Sequence, residues 1–183
     1  MGLEDSVQAN IYLTGFMGAG KTSVGKLLAT ELGLLHYDTD ELIIAAQGMS
    51  IEEIFKIWGE DFFRHKETEL LRLLGGKKAG TCIISTGGGI VQRLENRALM
   101  RQNGLVIFLH ISAEEACRRL SGVQNRPLLN TLDPNTSINE LLQKRRPFYQ
   151  EAHFTVETSH ITVRETVNKI ISAIGRWNYG GRQ

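Results

Sequence analysis

The chain has 183 residues, 42% hydrophobic and 22% charged, with 21 Lys and Arg against 20 Asp and Glu. That length suits one full hydrophobic core and not two ordinary domains, and the composition excludes disordered, collagen-like and membrane-embedded classes. The near-neutral charge gives no general reason to expect nucleic acid or an anionic membrane as partner, no stretch approaches the roughly 20 apolar residues of a membrane span, and the polar MGLEDSVQAN does not read as a signal peptide, so a single-domain, cytoplasmic monomer with local basic sites is expected.

Short apolar runs alternate with amphipathic segments, the pattern of a parallel sheet with helical crossovers, so the predicted class is α/β with five parallel strands. The first strand, residues 10–14, runs into Gly15-Phe-Met-Gly-Ala-Gly20-Lys21-Thr22, a P-loop that opens a helix carrying Val24, Leu27, Leu28 and Leu32 and closing at Gly33. Its glycines let backbone N–H groups close around a phosphate chain at the positive end of that helix, with Lys21 reaching the β- and γ-phosphates and Thr22 holding Mg²⁺. The second strand, 34–37, delivers Asp38-Thr39-Asp40 to the same edge of the sheet. One carboxylate there can hold the metal through water while the other accepts a hydrogen bond from an attacking hydroxyl.

Ser50 with Glu53 has the spacing of a capping box and opens a long helical pattern containing Arg64, with Glu67 three residues on as its partner along one face. An Arg held in that way presents a fixed fork to a carboxylate. The third strand, 82–85, precedes Gly87, Gly88 and Gly89, which make either a plain tight turn or a place where backbone N–H groups lie against a ligand. A helix over 93–103 is expected to end with Gly104 as its left-handed C-cap, before a fourth strand at 105–110 and a capping box at Ser112 and Glu115.

Residues 121–136, SGVQNRPLLNTLDPNT, show no periodicity and carry Arg126, a guanidinium suited to closing over phosphates on a mobile lid. A capping box at Ser137 and Glu140 is expected to start the next helix, in which Pro147 follows Arg145 and Arg146 and should kink it. The fifth strand is 154–157, Thr162 and Glu165 cap the last helix, and 178–183 read as a frayed tail. The two cysteines read as reduced and structural, the five histidines lack metal-ligand spacing, and no G-x-S-x-G elbow supports acyl transfer.

Taken together, GFMGAGKT, DTD, FR followed by Glu67, TGGG, RPLL and KRRPFY stand in the order and at about the spacings of shikimate kinase, which the chain resembles over 11–152. The resemblance implies a P-loop NTPase-like three-layer sandwich with a mobile lid, and transfer of the γ-phosphate of ATP to the 3-hydroxyl of shikimate with Mg²⁺. It implies ATP contacts from Gly18, Ala19, Gly20, Lys21, Thr22, Ser23, Arg119 and Arg126, with Arg119 stacking on adenine. Thr22 and Asp38 would serve the metal, Lys21, Asp40 and Arg126 catalysis, and Asp40, Arg64, Gly87, Gly88, Gly89 and Arg145 shikimate. The chain departs from the family in lacking a proline after the last strand, in ETSHITVRE, and in reading Lys-Thr-Ser where many members have Lys-Ser-Thr. The alternatives are another small-metabolite or nucleoside monophosphate kinase of the same fold, or a catalytically silent nucleotide-binding regulator.

Overall fold

The apolar runs are long enough to be buried on both faces, and they form the centre of a five-stranded, all-parallel sheet ordered β2-β3-β1-β4-β5. The computed structural model describes residues 9–75, 82–121 and 134–179. Its strands are β1 Asn10–Thr14, β2 Leu35–Asp38, β3 Cys82–Ser85, β4 Gly104–His110 and β5 Phe154–Glu157. Helices α1 Lys21–Leu32, α2 Thr39–Gln47, α3 Ile51–Gly75, α4 Leu94–Asn103, α5 Ala113–Leu120, α6 Pro134–Tyr149 and α7 Val163–Tyr179 connect or follow them, with a 3₁₀ turn at Ile90–Gln92.

Strand alternation divides the core between the two sheet faces. Ile11, Leu13, Ile83, Ile107 and Leu109 pack with Val24 and Leu28 of α1 and with Val167, Ile170 and Ile174 of α7. Tyr12, Ile84, Val106 and Phe108 point the other way, against Leu71 of α3, Met100 of α4 and Tyr149 of α6. A smaller cluster of Ile43, Ile54 and Phe63 joins α2 to α3.

Register is what assembles the site. Ser85 pairs with Leu13 on one side and Asp38 on the other, so the carboxyl ends of β1, β2 and β3 stop at one level of the sheet. The P-loop, the Asp-Thr-Asp segment and the glycine turn all leave from that level, at the edge where open α/β sheets bind ligands.

The structure corrects several sequence expectations. Strand β2 lies one residue later than expected and includes Asp38, which also N-caps α2 by accepting from Asp40 N–H at 3.0 Å. Gly104 follows α4 at the C-cap position as expected but is not left-handed: its φ of 173° is extended, and it begins β4 directly. Its missing Cβ leaves room for the Asn10 carbonyl, which a side chain would strike. The Ser50–Glu53 and Thr162–Glu165 boxes are reciprocal, whereas Ser112 caps Glu115 N–H while the Glu115 carboxylate turns to arginines instead. Ser137 lies inside α6, which begins at Pro134 and so takes in the last three residues of the segment expected to be a lid. Gly59, with φ 81° and ψ 169°, breaks α3 into two helical stretches, while Pro147 sits in the last turn of α6, where it leaves the Gln143 carbonyl without a helical N–H donor. Helix α7 runs two residues into the expected tail.

Candidate active site

The P-loop is shaped by glycines at positive φ, Gly15 at 143°, Gly18 at 80° and Gly20 at 85°, the last of which caps α1. Gly15 also presses against the Leu109 carbonyl, where a Cβ would collide. The Lys21 ammonium bends back over the loop, donating to the Gly15 and Phe16 carbonyls at 2.8 and 2.9 Å, which holds it at the mouth of the phosphate cradle.

Two side-chain oxygens meet next to Lys21: Thr22 Oγ1 donates to Asp38 Oδ2 at 2.7 Å. Both are hard donors at the positive end of α1, a set that fits Mg²⁺ shared with phosphate oxygens. The turn that follows is held by Thr39, whose hydroxyl accepts from Gly87 N–H at 2.9 Å and ties α2 to the glycine turn.

Beyond Asp40 opens a cavity of ≈ 380 Å³ lined by Met17, Asp40, Phe55, Phe63, Arg64, Glu67, the glycines 87–89 and Arg145. The glycines are not demanded by positive φ, since none of the three has one. Close approach requires them: a Cβ on Gly87 would lie 2.5 Å from Asp40 Oδ1 and 2.9 Å from Glu67 Oε1, and one on Gly89 would overlap the Arg64 guanidinium. Gly87 N–H is taken by Thr39, so that group is already engaged within the turn.

Arg64 is 7% exposed and Arg145 4% exposed. Arg64 donates from Nη1 to Glu67 at 2.8 Å, the pairing read from the i,i+3 spacing, and from Nε and Nη2 to Glu60 at 3.0 and 2.8 Å. Burial pushes the Glu67 carboxyl up to about 7 against the opposing pull of Arg64, and the charges of Asp40 and Glu60 push the same way. Arg145 donates to the Gly88 carbonyl at 3.4 Å, while its buried Nε makes no hydrogen bond. Tyr149, stacked on Phe108 at 4.9 Å, donates to the same carbonyl at 2.6 Å, and burial holds its hydroxyl at about 12.

Arg119 stands on the other side of the P-loop, donating to Gly18 O at 3.1 Å, to Thr158 O at 2.7 Å and to Glu115 at 2.7 Å. Its planar group thus links the phosphate cradle to the turn after β5, where His160 adopts a left-handed φ of 58°. Arg118 and then Arg119 hold the Glu115 carboxyl at about 2. The structure brings together Gly18, Ala19, Gly20, Lys21, Thr22, Ser23, Asp38, Asp40, Arg64, the glycine turn, Arg119 and Arg145 along one sheet edge. Arg126 and residues 122–133 of the expected lid lie outside the described residues. Sequence reading missed Glu60, Thr39 and Tyr149; only Glu60 left a signal, its i,i+4 spacing from Arg64.

A family model described as shikimate kinase matches residues 17–175. A shikimate kinase of Thermodesulfovibrio yellowstonii is 45% identical over 93% of this chain and 98% of its own length. Among solved structures, a shikimate kinase from Acinetobacter baumannii in complex with shikimate superposes with a TM-score of 0.86 at 39% identity, covering 92% of this chain and 94% of the other. A gluconokinase from Sinorhizobium meliloti matches at a TM-score of 0.64 and 15% identity, a likeness of fold alone, covering 95% of each chain.

Proposed function

The chain belongs to the shikimate kinase family and is an ATP-dependent kinase, and from that premise we propose how its own side chains divide the transfer of the γ-phosphate of ATP to the 3-hydroxyl of shikimate. One observation carries the reading. Two guanidiniums buried to within 7% face one cavity beside Asp40, and Arg145 Nε is left without a partner, an arrangement that calls for an anionic, fork-matching group such as the acceptor's carboxylate. Arg64, clamped by Glu60 and Glu67, and Arg145, pinned at Gly88, approach that carboxylate from α3 and α6 and fix the ring in one orientation.

With the carboxylate held there, the 3-hydroxyl is directed at Asp40, which accepts its hydrogen bond and raises its nucleophilicity toward phosphorus. On the nucleotide side, the P-loop N–H groups of Gly18, Ala19 and Gly20, with Lys21, Thr22 and Ser23, cradle the phosphates. Lys21 exchanges its two carbonyl contacts for phosphate oxygens, and Arg119 lies against the base. Thr22 and Asp38 would hold Mg²⁺, which would supply positive charge to neutralise the phosphates. Arg126, on the segment expected to act as a lid, adds a guanidinium to the transferring group. Pre-positioning both reactants removes most of the entropic barrier to in-line attack.

A coupled assay of ADP release across shikimate, quinate, gluconate and nucleoside monophosphates tests this. Shikimate should exceed every other acceptor by about 100-fold or more in kcat/KM, the scale on which a site built to hydrogen-bond one ligand rejects another that leaves its buried polar groups unpaired. Gluconate turned over as well as shikimate would overturn the choice of acceptor, and a neutral amide analogue of shikimate turned over as well as shikimate would overturn the carboxylate reading at this pocket.

A further inference from the structure

The cavity is richer in acid than an anionic acceptor requires. Arg64 and Arg145 are its cations, while Asp40 from α2, Glu67 and Glu52 from α3, and Glu60 on the far edge of Arg64 are its carboxylates. Tyr149 of α6, bonded to the Gly88 carbonyl and within electrostatic reach of Arg64 and Glu67, stays a neutral hydroxyl. Among the described residues, acids therefore outnumber bases before a further carboxylate arrives. Glu52 and Glu60 stand at the open rim, and Glu60 is 49% exposed along its side chain, so water screens its charge.

Glu67 has no such outlet. It is 0% exposed, its Oε2 accepts from Arg64 at 2.8 Å, and its Oε1 makes no hydrogen bond. That oxygen and Asp40 Oδ1 both reach the space over Gly87, at 2.9 and 2.5 Å from the point a Cβ would occupy. The Arg64 charge is what opposes burial at Glu67 and favours its ionised form. An acceptor carboxylate on the same guanidinium draws on that charge and adds a negative one of its own nearby.

Resting on the carboxylate-docking reading above, we propose that acceptor binding loads a proton from the buffer onto Glu67 Oε1, which then donates a hydrogen bond toward Asp40. Glu67 is thereby a positioning residue that matches the acceptor's negative charge and steadies the carboxylate that receives the hydroxyl. One O–H bond forms and none breaks within the site; the proton leaves a buffer acid.

The sign of the pH effect follows. In the empty pocket Glu67 titrates at about 7. Below that pH it is already neutral and acceptor affinity is flat. Above it the proton must be taken up on binding, and affinity falls by up to about tenfold per pH unit until the raised value in the complex is passed.

Calorimetric titration of shikimate into the full chain, without nucleotide, at pH 6, 7 and 8 in buffers of different ionisation enthalpy, tests this. The parent should bind about tenfold more weakly at pH 8 than at pH 6, with proton uptake approaching one per shikimate at pH 8. Glu67→Gln keeps a carbonyl for Arg64 and offers an amide N–H to Asp40, so it imitates the protonated acid. Its affinity should vary less than about twofold over the same range, without uptake, and at pH 8 it should bind at least as tightly as the parent. A purely structural role in clamping Arg64 would weaken this variant at every pH, and that result overturns the proposal. So does the absence of uptake in the parent at pH 8, a measurement that stands even if the variant does not fold. Failure of shikimate to bind the parent at all would instead sink the acceptor reading, whereas binding without uptake sinks only this inference.

Discussion

At the scale of single residues, the site depends on buried guanidiniums whose geometry matters as much as their charge. Arg145→Lys keeps a cation but loses the planar fork, and hydrogen bonds to charged groups are worth about 1.5–3 kcal/mol each. The specificity constant for shikimate is expected to fall by about 10- to 100-fold, with MgATP affinity unchanged. On an analogue bearing a neutral amide in place of the carboxylate, the variant should lose much less; equal losses on both would show that Arg145 does not read the carboxylate. Gly89→Ala tests the clamp from the opposite side. The new methyl overlaps an Arg64 that two glutamates hold in place, so it must displace the guanidinium or the turn. Its expected signature is a KM for shikimate raised by about tenfold or more, the scale of one lost charged hydrogen bond, while the KM for ATP moves little. A shikimate KM within twofold of the parent would mean the fork tolerates the displacement.

At the scale of elements, α6 is pinned to the glycine turn by one strong contact, the Tyr149 hydroxyl on Gly88 O at 2.6 Å, with the ring stacked on Phe108. Tyr149→Phe keeps the stack and leaves that carbonyl with only the 3.4 Å contact from Arg145. A net loss of about 1 kcal/mol is expected, lowering the melting temperature by about 2–4 °C, together with a weaker shikimate KM because Arg145 sits one turn away on the same helix. Unchanged thermal unfolding and unchanged KM would place the anchor of α6 elsewhere. The same scale explains the misread boundaries. The glycine after α4 looked like a helix stop, but the chain passes straight from helix to strand, and what Gly104 provides is clearance for the Asn10 carbonyl on the neighbouring strand. Ser137 looked like a cap because its spacing to Glu140 is right, yet the helix starts a turn earlier at Pro134, a residue well suited to a first turn.

For the whole molecule, stability and catalysis are carried by different residues. The core lies in the sheet and its two helical faces, whereas the Lys21 ammonium donates to the Gly15 and Phe16 carbonyls of its own loop, outside that core. Lys21→Met is therefore expected to abolish most phosphoryl transfer at a cost of less than about 1 kcal/mol in urea unfolding, while Leu109→Ala, fully buried in β4, should cost about 2–5 kcal/mol. A large stability loss in the lysine variant with ATP binding preserved would make Lys21 a structural residue.

The sequence alone determined the class of fold, the P-loop and its chemistry, the Asp-Thr-Asp segment and the Arg64–Glu67 pair, because each is written in local spacing: strand, glycine loop, helix, or two residues three apart on one face. Tertiary structure alone decided that Ser85 stands level with both Leu13 and Asp38, which brings three strand ends to one edge. It also decided that Gly87 lies against Asp40 and Glu67 and Gly89 against Arg64, and that Glu67 loses all contact with water. Register and burial arise from residues tens of positions apart packing together, and the charge state of a carboxyl depends on what surrounds it, which no local pattern records.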